Sequence, residues 1–353
     1  MTISSRDASA TLAPPGGFRL KHGGMLPVVR VAFTIYGRTH DAPVILVCHA
    51  ITGSSKVGKW WGDILGPGKL LDTDRYCIVG SNVIGSCYGS TGPLSIGKNG
   101  EAFGRNFPIV GIEDMVHAQR EAIELLGIRR FHAVIGGSLG GMQALQWGSA
   151  YPSFVDRVIA IGATGRLSPM AIGLNSIARE AIKLDPTTGL KIARMIGMLS
   201  YKSAALLWRR HGRRSNRDRE NPAASLDARF DVEGYLQHQG EKLVARMDAD
   251  SFLYLTKAMD LFELDTANWR TPALLVGIES DWLYPPNEVR GTAAELSPHG
   301  IYVELKSAHG HDGFLADAGQ LTELVAPFLN ASLPAGGDGD SSAIHESLGI
   351  LTL

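Results

Sequence analysis

Apolar residues along this chain of 353 residues gather in short runs, and the character of the runs changes partway through. VRVAFTIYG (29–37) and VILVCHA (44–50) read as a first pair of strands. YCIVGSN (76–82), HAVIGG (132–137), VIAIGA (158–163), ALLVGIES (273–280) and IYVELKS (301–307) follow as further strands. Several are apolar throughout instead of alternating, the pattern of strands buried on both faces. Between them EDMVHAQREAIELLG (113–127) and LGGMQALQWGSAYP (139–152) have helical spacing. Strand, helix and strand in repetition predict an α/β fold, a mostly parallel sheet flanked by helices with right-handed crossovers.

The rhythm stops after Ala163. Runs such as MAIGLNSIAREAIKL, GLKIARMIGMLSYKSAALLW and SFLYLTKAMDLFEL have helical spacing and almost no strand signal, and the sheet pattern resumes at Pro272. The expected division is a flexible arm over 1–17, a core over 18–164 and 265–330, a helical lid over 165–264 and a tail over 331–353. The tail begins as a linker by composition, and AIHESLGILTL is expected to form a short terminal helix.

Composition narrows the partners. A net charge of -1 gives no global reason to expect nucleic acid or an anionic membrane. No apolar run approaches the ~18 residues a membrane helix needs. The N-terminal stretch lacks a basic region followed by an apolar one, so no secretory signal is visible. Cys48, Cys77 and Cys87 form no CxxC or zinc spacing, and a cytoplasmic protein with reduced thiols and no bound metal is the expectation.

Four glycines surround Ser138 in IGGSLGG, although each costs roughly 0.5–1 kcal/mol inside regular structure. Gly136-Gly137-Ser138-Leu139-Gly140 matches the GxSxG nucleophile elbow, with a strand before it and a helix after it. The turn is strained, so the positions two before and two after the serine must be small. Gly137 and Gly141 are expected to permit close approach of strand and helix. Read alone, the stretch could also be a glycine-rich phosphate-binding turn. A serine hydroxyl needs a base, and the base needs an orienting acid.

Two late strands are followed by suitable groups. ALLVGIESDWLYPP offers Asp281 at the opening of a loop, in preference to Glu279 within the strand run. IYVELKSAHGHDGF offers His309 and His311, of which His311 is the better base candidate. The oxyanion donors expected from position are the backbone N–H of Leu139 and that of Ile51 in CHAITGSS, with Ala50 as the alternative.

With CHAITGSS, LGPGKLLDTDRY, SNVIGSCYGSTGP, GGSLGGMQALQW, SDWLYPP and GHDGF in this order, residues 27–330 resemble the homoserine O-acetyltransferase branch of the α/β-hydrolase superfamily. The resemblance implies an α/β-hydrolase fold with a helical lid. It also implies transfer of an acetyl group from acetyl-CoA to the hydroxyl of homoserine through an acyl-serine, in methionine biosynthesis. Ser138, Asp281 and His311 would form the triad, with no bound cofactor and acetyl-CoA as co-substrate. Arg194, in GLKIARMIGMLSYKS, would hold the substrate carboxylate, and Asp312 its ammonium. A homodimer is common in relatives.

The chain departs from the resemblance in two places. Only Thr187 and Thr188 separate AIKLDP from GLKIAR, where family members have a longer stretch, and the loop before WWGDILGPG is short. Both bear on the shape of the substrate tunnel. The alternatives are therefore a carboxylesterase with the same triad, or a serine or homoserine O-succinyltransferase. WRRHGRRSNRDRE (208–220) would be a solvated loop or a contact for the CoA phosphates, and Trp60 and Trp61 packing residues.

Overall fold

The computed structural model describes residues 4–97, 100–216 and 220–332. The chain forms β1 (Ser5–Leu12), β2 (Phe18–Arg19), β3 (Met25–Leu26), β4 (Val29–Gly37), β5 (Val44–Cys48) and β6 (Cys77–Ser81). Helix α1 (Ile112–Leu125) leads to β7 (Ala133–Gly137), α2 (Leu139–Ala150) and β8 (Val158–Ile161). Next come α3 (Pro169–Leu184), α4 (Pro186–Ser200), α5 (Ala204–His211), α6 (Asp231–Val244) and α7 (Ala249–Leu261). The chain then returns to the sheet with β9 (Ala273–Ile278), α8 (Pro286–Glu295), β10 (Gly300–Leu305), the short α9 (Gly313–Ala316) and α10 (Ala318–Asn330).

Eight strands make one sheet in the order β1-β4-β6-β5-β7-β8-β9-β10. The pairs β1–β4 and β4–β6 are antiparallel and the other five are parallel. Every residue of β5, β7, β8 and β9 is buried. Successive side chains point to opposite faces of the sheet. Ile45, Val47, Ile135 and Val276 join Leu321, Val325 and Phe328 of α10 on one face, and Leu46, Val134, Ala160 and Leu275 join Met115 of α1 and Met142 of α2 on the other. Helices cover both faces, so these runs carry no polar alternation.

The expected flexible arm over 1–17 is corrected by the structure. Residues Ser5–Leu12 pair with β4 along their whole length, from Ser5 opposite Tyr36 to Leu12 opposite Val29. In this edge strand only Ala10 and Leu12 are buried, so the backbone ladder forms with little apolar signal in the sequence. The expected terminal helix, and the tail from 333 onward, lie outside the described residues.

Helices α3 to α7 leave and re-enter the sheet between β8 and β9, above the edge where the parallel strands end. Their starts are fixed by side chains that accept from exposed backbone N–H groups: Ser168 from Ala171, Asp185 from Thr188, Ser203 from Leu206 and Asp248 from Ser251. Asp185 ends α3 and caps α4, with Pro186 at the first position of α4. One residue thus turns the chain, and Thr187 and Thr188 lie in the first turn of α4. A Cβ on Gly189 would collide with the Ala181 carbonyl, so glycine lets α3 and α4 cross closely.

Deleting residues 1–12 would uncover β4, an unpaired edge prone to association. The truncated protein is expected to lose at least the roughly 1.5–3 kcal/mol of one buried Leu and to self-associate. Urea denaturation and light scattering check both.

Candidate active site

Ser138 joins β7 to α2 at φ 57, ψ −127, and is the one non-glycine residue with positive φ among the described residues. That conformation costs of order 1–3 kcal/mol and persists only where packing enforces it. A Cβ on Gly136 would strike the backbone of Gly140, and one on Gly140 would strike the carbonyl of Cys48 at the end of β5. Both positions must be glycine, as the elbow pattern predicts. Gly137 lies against the Phe314 ring and Gly141 against Ala163, so all four glycines sit at close contacts.

Asp281 and His311 come together across thirty residues of sequence: Asp281 Oδ2 lies 2.7 Å from His311 Nδ1, and both side chains are almost fully buried. The other carboxylate oxygen accepts the backbone N–H groups of Leu283 (2.9 Å) and Tyr284 (3.0 Å). The ring nitrogen His311 Nε2 is buried without a hydrogen-bond partner. The imidazole packs beside Gly162 at the end of β8, where a Cβ would lie 3.3 Å from its Cε1. Burial pulls the His311 pKa down, but the charge and hydrogen bond of Asp281 outweigh it and leave the value above the ordinary one. Glu279 is exposed and faces Lys306 at 3.6 Å, while the His309 backbone N–H donates to Ser307. The structure brings neither to His311 in place of Asp281.

Because Gly140 abuts Cys48 and His49, the start of α2 touches the loop that carries Ala50 and Ile51. Ile51 lines the same cavity as Ser138. Leu139 begins α2, where backbone N–H groups have no partner within the helix. Several side chains brace the loop. The Trp60 indole donates to the Ser54 carbonyl (2.8 Å), the Ser55 N–H to Asn82 (2.7 Å), and Arg246 to the Thr52 carbonyl (2.6 Å) and the Tyr88 hydroxyl (2.9 Å). Trp61 stacks on Trp60 and donates to the Phe314 carbonyl beside the histidine loop, so both tryptophans pack as expected. Burial pulls the pKa of His49 down to about 4, which keeps it neutral.

The cavity above Ser138 is narrow, about 30 Å³, and is lined by Ile51, Asn175, Ala193, Tyr201 and Tyr284 among others. Arg194 on α4 stands 6.0 Å from the Tyr201 ring, and the Asp312 backbone N–H donates to the Tyr201 carbonyl (3.1 Å). Arg194 and Asp312 are thus both neighbours of Tyr201, one of the residues that line the cavity. Sequence reasoning missed two neighbours. Tyr284, within SDWLYPP, packs 4.9 Å from the His311 ring and lines the same cavity as Ser138; burial pushes its phenol well above the usual range. Lys202, within the Arg194 segment, pairs with Asp312 at 2.6 Å. Within the run at 208–220, Arg209, Arg210, Arg213 and Arg214 are exposed, and 217–219 lie outside the described residues.

Among the described residues no group of three or more His, Cys, Asp or Glu could hold a metal ion, and no helix is long and apolar enough to cross a membrane. The model of the alpha/beta hydrolase fold matches residues 43–318, so fold and site place the chain in that class. The homoserine O-acetyltransferase of Symbiobacterium thermophilum is 40% identical over 365 residues, covering 93% of this chain and 95% of that protein. The chain belongs to the homoserine O-acetyltransferase family within the alpha/beta hydrolases. Homoserine O-acetyltransferase from Bacillus anthracis superposes with a TM-score of 0.86 at 24% identity, covering 95% of this chain and 100% of that one. Esterase E22 superposes at 0.83, also at 24% identity, covering 93% and 100%. At that identity the likeness concerns the fold alone, and this fold serves both a transferase and an esterase.

A general base must be neutral, so with His311 as the base activity is expected to rise with pH as it loses its proton, its raised pKa placing that limb above the ordinary histidine range. Asp281→Asn removes the charge that raises the pKa. The limb of the kcat/KM–pH profile is then expected to move to lower pH, while kcat falls by about 10³–10⁴-fold.

Proposed function

We propose that the protein transfers an acetyl group from acetyl-CoA to the side-chain hydroxyl of L-homoserine by a ping-pong mechanism. The observation that carries the reading is the strained Ser138 in a cavity lined by Tyr201 and Tyr284, with the buried Asp281–His311 pair against Tyr284 and with Arg194 and Asp312 both beside Tyr201. The 40% identity to a named homoserine O-acetyltransferase over 93% of the chain supports it.

In the first half-reaction His311 Nε2 takes the proton of the Ser138 hydroxyl, and Oγ attacks the thioester carbonyl. The carbonyl oxygen becomes an oxyanion held by the amides of Ile51 and Leu139. As the tetrahedral intermediate collapses, the carbon–sulfur bond breaks and the His311 proton leaves with CoA as the free thiol. In the second, Arg194 holds the carboxylate of homoserine and Asp312 its ammonium, so that its hydroxyl faces the acyl-serine. His311 removes the hydroxyl proton, the new ester forms, and the proton returns to Ser138 as it departs. The protein side chains supply every proton transfer. Asp281 keeps the imidazole in the tautomer that frees Nε2 and stabilises the imidazolium. Acyl-CoA and a free amino acid meet in the cytoplasm, the compartment this reaction implies.

Purified enzyme with acetyl-CoA is expected to release thiol and form O-acetylhomoserine only when homoserine is present at turnover. Thiol release indifferent to homoserine or serine, with acetate as product, would make it an esterase; preference for succinyl-CoA would change the donor. Ser138→Ala is expected to abolish turnover in the same assay.

Arg194→Ala removes a bidentate carboxylate contact worth roughly 1.5–3 kcal/mol. The homoserine KM is expected to rise by about ten- to a hundredfold, with the acetyl-CoA half-reaction spared. An unchanged KM, read from initial rates at varied homoserine, removes Arg194 from this role.

A further inference from the structure

Beside the proposed acceptor ligand Asp312 lies a cation that the reaction above does not use. Lys202 Nζ lies 2.6 Å from Asp312 Oδ2, and the two side chains are only 11% and 20% exposed. The pair spans 110 residues of sequence and is one of several ties between the same two segments. The Asp312 N–H donates to the Tyr201 carbonyl (3.1 Å), and the Ser203 hydroxyl donates to the Ala308 carbonyl. The Trp282 indole donates to the Lys202 carbonyl (3.0 Å). Gly310 completes the fit: it has φ 69, and a Cβ there would lie 2.6 Å from Ser203 N and 2.7 Å from the Lys202 carbonyl carbon. Tyr201, Lys202 and Ser203 are thus docked onto the loop that presents His311.

These contacts fix the backbone of Asp312 but not its carboxylate, which is held by Lys202 alone through Oδ2; Oδ1 has no hydrogen-bond partner among the described residues. We propose that Lys202 is a positioning residue for the acceptor: its ammonium pins Asp312 through Oδ2 and leaves Oδ1 to receive the ammonium of the amino acid. The inference rests on the reading of Asp312 as that ligand. Arg194 and Asp312 alone match the two charges of the zwitterion, its carboxylate on Arg194 and its ammonium on the free oxygen of Asp312, and Lys202 adds one positive charge that holds Asp312 in place. A carboxylate without Lys202 would be free to rotate towards solvent or to pair with Arg194 itself, closing the site to the amino acid.

The test is steady-state kinetics at saturating acetyl-CoA and varied homoserine for wild type, K202M and K202R. K202M is expected to raise the homoserine KM by about tenfold or more, the worth of one charge-assisted hydrogen bond, with a much smaller fall in kcat. K202R restores the charge and is expected to return KM most of the way to wild type. An unchanged or lowered KM in K202M overturns the proposal, as does a K202R whose KM stays as high as that of K202M. Should K202M not fold, K202Q, which keeps a stem and an amide donor but no charge, carries the same expectation. Wild-type enzyme that forms no O-acetylhomoserine overturns the underlying reading of the acceptor, and that failure is visible before any variant is made.

Discussion

Ser138 is held in a backbone conformation that an L-residue avoids, and the strain is sustained by contact between three pieces of main chain: the end of β5, the end of β7 and the first turn of α2. Gly136 and Gly140 allow that contact because they have no Cβ. Its consequences extend outward. With Gly140 against the Cys48 carbonyl, the loop of Ile51 meets the N-terminus of α2, which is where two amides can converge on a developing oxyanion. With Gly162 leaving room beside β8, the imidazole of His311 comes down to the same sheet edge. Geometry at one serine therefore organises groups drawn from four strand ends.

Around this centre the electrostatics are divided by burial. Asp281 is sealed from water and satisfied by two backbone N–H groups and one imidazole, so its charge acts almost wholly on His311. Beside Tyr201, Arg194 and Asp312 are partly covered, and Lys202, paired with Asp312, is buried. Tyr201 and Tyr284 stand between the two regions, with ring centroids 5.7 Å and 4.9 Å from that of His311. They keep water from the base while offering hydroxyls to the cavity. The helices above the sheet contribute to the cavity, since Ala193 and Ser200 of α4 line it, and Arg194 stands beside Tyr201 from the same helix.

Much of the site could be read locally. The elbow needs small residues at fixed offsets, and the acid and base candidates follow strands whose apolar runs are continuous because helices cover both sheet faces. Asp281 and not Glu279 meets His311, because a residue inside a strand run is committed to the strand direction and Glu279 is turned outward to Lys306. β1 escaped notice because an edge strand pairs through its backbone, and SRDASATL buries only two side chains. Tyr284 and Lys202 were in quoted motifs, yet nothing local marks a tyrosine as facing a serine or a lysine as facing an aspartate.

The sequence by itself determined the alternation of strands and helices, the strained serine and the acid and base that serve it, because each depends on a period or an offset of a few residues. Only the tertiary structure decided that Lys202 pairs with Asp312. Lys202 and Asp312 are 110 residues apart, and they meet because Gly310 lets one segment lie against another. Tertiary packing also made a strand of an N-terminal stretch whose pattern looked like a loose arm. Pairing energy between distant segments leaves no period in the chain, so it becomes visible only when the segments touch.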